Sequence, residues 1–64
     1  MKENLMLKVQ RVKMGFNEAE AAVLIRMIKK DYIAIENNKV SPKLKDMINI
    51  SNAFNASMEE LFNW

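Results

Sequence analysis

The chain has 64 residues, half of them hydrophobic and 28% charged, with a net charge of +2. This is the size of one small domain, 1–64, which buries only about 60% of the surface its unfolded chain exposes. Without cysteine or histidine it has no disulfide, no thiolate metal cluster, and neither the commonest metal ligand nor the commonest general base.

No apolar run approaches the about 20 residues of a membrane span. The start Met1-Lys2-Glu3-Asn4-Leu5 lacks the apolar stretch of a signal peptide. The composition therefore predicts a cytoplasmic protein held by an apolar core, with no metal, no cofactor and no membrane partner. The charge is uneven: residues 1–41 hold eight basic and five acidic side chains, and residues 42–64 hold two and three. The basic surplus would suit phosphate contacts in the first part of the chain.

The pattern is helical nearly throughout, because no alternating β-branched run extends beyond four positions. Leu5, Val9, Val12 and Phe16 recur at helical spacing, with Met6 beside them, and predict the core face of a first helix. Gly15 is its C-terminal cap. Asn17 then caps a second helix, and Glu20, three residues on, completes a capping box. Ala21, Ala22 and Ile25 face inward on that helix, and the two alanines let a neighbour come close. Arg26-Met27-Ile28 form a turn. Lys29 to Glu36 make a third helix with Tyr32 and Ile35 toward the core. Asn37-Asn38 give a left-handed exit.

Ser41-Pro42 predict the start of a fourth helix, serine capping and proline taking the first helical position. Leu44, Met47, Ile48, Ile50 and Phe54 give it two adjoining apolar rows. Asn55-Ala56 break the chain, and Ser57 to Glu60 form a second capping box. Met58, Leu61 and Phe62 make the apolar side of a short fifth helix. The expected fold is all-α and compact, with five helices.

Three blocks at fixed spacing carry a family resemblance. They are Arg11-x-x-x-Gly15-Phe16-Asn17-Glu18-x-Glu20-x-Ala22, Ile35-Glu36-Asn37-Asn38-Lys39-x-x-Pro42-x-Leu44, and Ile50-Ser51-x-x-Phe54-x-Ala56-Ser57-Met58-x-x-Leu61-Phe62. From Arg11 to Phe62 the chain resembles the helix-turn-helix domain of phage repressors and Cro proteins, the lambda-repressor-like fold. The resemblance implies that helices two and three form the helix-turn-helix, and that Arg11 pairs with Glu36. It implies a regulator that binds double-stranded operator DNA as a homodimer, helix three in the major groove. The chain stops where that domain stops, so it looks more like a Cro protein than a two-domain repressor. The setting implied is a bacterial cell or phage-infected host.

By the same analogy, Lys29, Lys30, Ile33 and Ala34 form the base-reading face. Asn17, Glu18, Asn37, Lys39 and Lys43 lie along the DNA backbone. Two lysines can bind phosphates or guanine edges, whereas Ile33 and Ala34 offer only apolar contact.

The chain departs from the family at several of these positions. Glu18 stands where glutamine is usual, and its carboxylate would repel phosphate while favouring the helix dipole. Arg26 replaces the turn glycine at a cost of about 1 kcal/mol if left-handed, so either the turn is altered or helix two runs on through it. Ile28 replaces a polar cap.

Val23 and Leu24 are apolar where the family is polar. With Ile25, Met27 and Ile28 they make an apolar cluster around the turn that either folds inward or meets a partner. Trp64 and Phe62 lie at the end through which relatives often pair, where Trp64 either covers the core or joins a dimer contact. A second reading follows: the same fold as a protein-interaction module, such as an antirepressor that binds a repressor protein. Catalysis has no support in the sequence. The pair Glu59-Glu60 is explained by capping, and no glycine-rich phosphate loop is present.

Overall fold

The computed structural model describes residues 4–63. Five helices follow in chain order: α1 (Leu5–Lys13), α2 (Glu18–Leu24), α3 (Lys29–Glu36), α4 (Leu44–Phe54) and α5 (Met58–Phe62). No strand is present among the described residues. The body measures 23 × 22 × 20 Å.

The boundaries follow local chemistry. Gly15 sits at φ 85°, the left-handed conformation expected after α1. Asn17 accepts the Glu20 amide at 2.8 Å, and Glu20 accepts the Asn17 amide at 2.9 Å. Ser57 and Glu60 repeat this reciprocal cap at α5. Asn38 and Asn55 take positive φ after α3 and α4. Arg26 also takes positive φ, 58°, so α2 stops at Leu24 and does not run through the turn. The turn conformation survives without glycine, at the strain cost of a side chain held left-handed.

The core joins Leu7, Ala21, Ala22, Ile25, Tyr32, Ile35, Ile50, Phe54 and Leu61. The Tyr32 ring meets Phe54 edge-on at 6.3 Å, and Phe16 lies tilted on Phe54 at 6.2 Å. The fully buried Ala21 lets α2 lie close to α3.

Two expectations are corrected here. The apolar row Leu5, Val9 and Val12, with Met6, does not face the core. These four residues are 56–62% exposed, while Leu7 and Arg11 are buried. Phe16 lies beyond α1 and is only half-buried. The inward face of α1 is chosen by polar ties. Asn4 caps Leu7, donates to the Leu61 carbonyl at 2.8 Å, and donates its own amide to the Glu36 carbonyl at 2.8 Å. Gln10 donates to the Phe54 carbonyl at 2.6 Å.

The second correction concerns α4. It starts at Leu44, with Lys43 extended at φ −72°, ψ 158° and no side-chain cap. Ser41, Pro42 and Lys43 lie outside the helix, and the extended Lys43 takes the N-cap place expected of Ser41. Of the two apolar rows proposed for α4, Met47, Ile50 and Phe54 are buried, while Leu44 and Ile48 face solvent.

Candidate nucleic-acid interface

Beneath the candidate face lies a buried ion pair. Arg11 clasps Glu36 with two bonds, Nε to Oε2 at 2.8 Å and a terminal nitrogen to Oε1 at 3.0 Å. Its other terminal nitrogen donates to the Phe16 carbonyl at 2.8 Å. The Tyr32 hydroxyl donates to Glu36 Oε2 at 2.6 Å. No buried side-chain nitrogen or oxygen among the described residues lacks a partner.

Burial alone would raise the Glu36 carboxyl pKa. Hydrogen bonds from Arg11 and Tyr32, with the charge of Arg11, hold it below the ordinary carboxylate value instead. Burial, then the bond to Glu36, pushes the Tyr32 hydroxyl well above its usual range. The bond to Glu36 raises Arg11 in turn. This clasp fixes the C-terminal end of α3 to α1, which sets the helix's angle on the body.

The outward side of α3 is open. Lys29 and Lys30 are exposed, and Ile33 and Ala34 are half-covered. Together with Asn37 and Lys39 they line one concavity of about 580 Å³. Six residues expected at the interface therefore converge.

The start of this helix is built against its own stability. Ile28 is its N-cap residue and supplies no side-chain hydrogen bond. Two lysines stand at the positive end of the helix dipole, offset only by Asp31. The left-handed Arg26 lies just before them. Unsatisfied amides and added cations make this end an attractive place for an anion.

The remaining expected residues lie elsewhere. Asn17 is exposed, with its side-chain oxygen engaged in the capping box. Glu18 is half-buried at the start of α2.

Lys43 does not join the α3 concavity. It lines a separate groove of about 750 Å³ with Leu24, Arg26, Lys45 and Asn49. The sequence points to neither Arg26 nor Lys45 as a site cation, because the only signal it carries for them is their charge, within the turn and in the first turn of α4.

Ile25 is buried in the core and Met27 packs partly against it, while Val23 and Ile28 are 76% and 70% exposed and Leu24 is half-exposed, so the cluster folds inward only in part. Phe62 is partly buried against the core. Trp64, the other residue proposed for a pairing contact, lies outside the described residues.

No group of three or more His, Cys, Asp or Glu among the described residues could hold a metal ion. No described helix is long and apolar enough to cross a membrane. No protein-family model matches the chain, and no curated protein matches it.

Proposed function

We propose that the chain is a small DNA-binding regulator of the lambda-repressor-like, Cro type, acting in the cytoplasm of a bacterial or phage-infected cell. In this reading α2 and α3 are the helix-turn-helix, and α3 lies in the major groove of operator duplex DNA. Two copies bind together, with half-sites about one helical turn apart. Lys29 and Lys30 contact base edges or phosphates, Ile33 and Ala34 give apolar contact to thymine methyls, and Asn37 and Lys39 follow the backbone. Repression is steric, by occupation of a promoter. No catalytic role is assigned.

The observation that carries this reading is the start of α3. An uncapped helix end, two lysines against the dipole and a left-handed arginine all cost folding free energy. Local choices that oppose stability are expected where a ligand is met. A polyanion would satisfy both the amides and the cations.

The test is titration of labelled duplex DNA at two salt concentrations, with Lys29→Ala and Lys30→Ala in parallel. The affinity should fall steeply with salt, and each lysine removed from a phosphate should lower the slope by about 1. No binding at low salt would end the proposal.

A second reading has its own observation. The exposed Val23, Leu24 and Ile28 form an apolar surface at the turn, and polar DNA readers gain little from it. An antirepressor-like module that binds a repressor protein would use this surface. Leu24→Glu separates the two, since it should abolish a protein contact while leaving duplex binding by α3 in place.

A further inference from the structure

A second cationic concavity lies between the turn after α2 and the side of α4. Arg26, Lys43 and Lys45 line this groove of about 750 Å³, with Asp46 as its one acid and Asn49 and Asn52 one turn apart on α4. Three cations and one acid leave it a charge of +2. None of these six side chains makes a hydrogen bond or an ion pair within the chain. Like charges gathered in one groove repel each other, so folding gains nothing from bringing them together. The backbone adds a further cost. Arg26 is held at φ 58°, a conformation that glycine adopts freely and arginine only with strain. Lys43 is the N-cap residue of α4 and gives it no side-chain hydrogen bond, so the first amides of that helix lack a side-chain acceptor.

We propose that this groove is a phosphate-binding site separate from the α3 face, with Arg26, Lys43 and Lys45 holding the phosphate oxygens. The donor set fits that anion. A guanidinium fork, two ammonium groups and two side-chain amides come from two elements, so they approach a tetrahedral group from several sides, whereas a carboxylate presents one plane of oxygens. A surplus of two positive charges is matched by two phosphodiester groups, or by one terminal phosphate of about −2.

Phosphate reaches the groove from one of two sources. The linings of this groove and of the α3 concavity share no residue. Yet Arg26 stands three positions before Lys29, and Lys43 four after Lys39, spans of at most about 11 and 14 Å. A duplex seated on α3 is close enough to lay its backbone in the groove. A free nucleoside polyphosphate is small enough to fill it alone. The site is read with inorganic pyrophosphate and no DNA, so its failure and the failure of duplex binding on α3 are separate results.

The experiment follows the amide and arginine Nε resonances of the full labelled chain as pyrophosphate is added, with sodium chloride at matched ionic strength as the control. Saturable shifts should appear at Arg26, Lys45 and the Asn49 side chain, with a dissociation constant on the order of 1 mM at low salt, as a few exposed charge contacts allow. Arg26→Gly and Lys45→Ala should each weaken binding by about threefold to tenfold. Arg26→Lys, which keeps the charge and loses the fork, should fall between Arg26→Gly and the wild type. Glycine suits the left-handed turn and Lys45 is exposed, so the spectra of these variants should overlay the wild type away from the groove. The titration is then repeated with a saturating short duplex. Pyrophosphate shifts that vanish assign the groove to the duplex backbone, and shifts that persist assign it to a free polyphosphate. Shifts no larger than those with chloride overturn the proposal. So do shifts confined to Lys29, Lys30 and Lys39, or binding that Arg26→Gly and Lys45→Ala leave unchanged.

Discussion

Removing one partner of the Arg11–Glu36 clasp should damage this domain far more than its single ion pair suggests. Both side chains are nearly shut off from solvent, at 9% and 3% exposure. Glu36→Gln leaves the Arg11 guanidinium buried beside a neutral amide, and Arg11→Met leaves a buried carboxylate without its bidentate partner. Breaking a buried pair in this way costs about 3–5 kcal/mol. A chain of this length has a total stability of roughly 3–10 kcal/mol. Each single variant should thus lose about 12–25 °C in Tm at the low end of that cost, or fall to the edge of folding.

The double variant Arg11→Met/Glu36→Gln removes both charges together. Its loss should be smaller than the sum of the two single losses by about 2–3 kcal/mol. The assay is urea unfolding followed by far-ultraviolet circular dichroism at neutral pH, with all four proteins compared at equal denaturant slope. Losses that add within about 0.5 kcal/mol would refute the account. The clasp would then be two solvated charges with no bearing on how α3 is held.

Two further predictions concern the same frame. The folded-state pKa of Glu36 is lowered. Its contribution is therefore present above the unfolded carboxylate value of 4.5 and is lost as pH falls below it. The Tyr32 value is raised, so its contribution is present below 10.0 and is lost as pH rises beyond it. A plot of unfolding free energy against pH should show a plateau between these limits, and a flat response down to strong acid would contradict it. At the turn, Arg26→Gly should relieve the positive φ and raise stability by up to about 1 kcal/mol, seen as a higher Tm. A lower Tm would mean that the Arg26 side chain stabilises the turn through groups of the neighbouring groove.

The sequence makes the start of α2 and the exit of α3 legible because those boundaries are written locally. Asn17 with Glu20, Gly15 and Asn38 are caps whose chemistry acts within a few residues. The end of α1 and the break before α5 are readable for the same reason. The orientation of α1 is not, because its inward face is set by bonds to distant carbonyls, those of Glu36, Phe54 and Leu61. Periodicity records where apolar side chains line up and says nothing of which side a buried arginine requires. The start of α4 is hidden similarly, since Ser41-Pro42 fits a cap and an extended connection equally well.

The candidate interface is legible where one helix face carries it, as with Lys29, Lys30, Ile33 and Ala34. It fails where separate elements meet. Lys43 falls in a groove with Arg26 and Lys45 because α4 begins at Leu44, past the Ser41-Pro42 signal. Local pattern cannot supply that juxtaposition.

The central claim is that the outer face of α3 meets duplex DNA. It is tested most directly by mapping amide resonances of the labelled chain as a short duplex is added at low salt. The account predicts that the largest shifts cluster at the start of α3, through Ile33 and Ala34, to Asn37 and Lys39, and that added salt reverses them. Shifts confined to Val23 and Leu24 at the turn, or none at all, would contradict it.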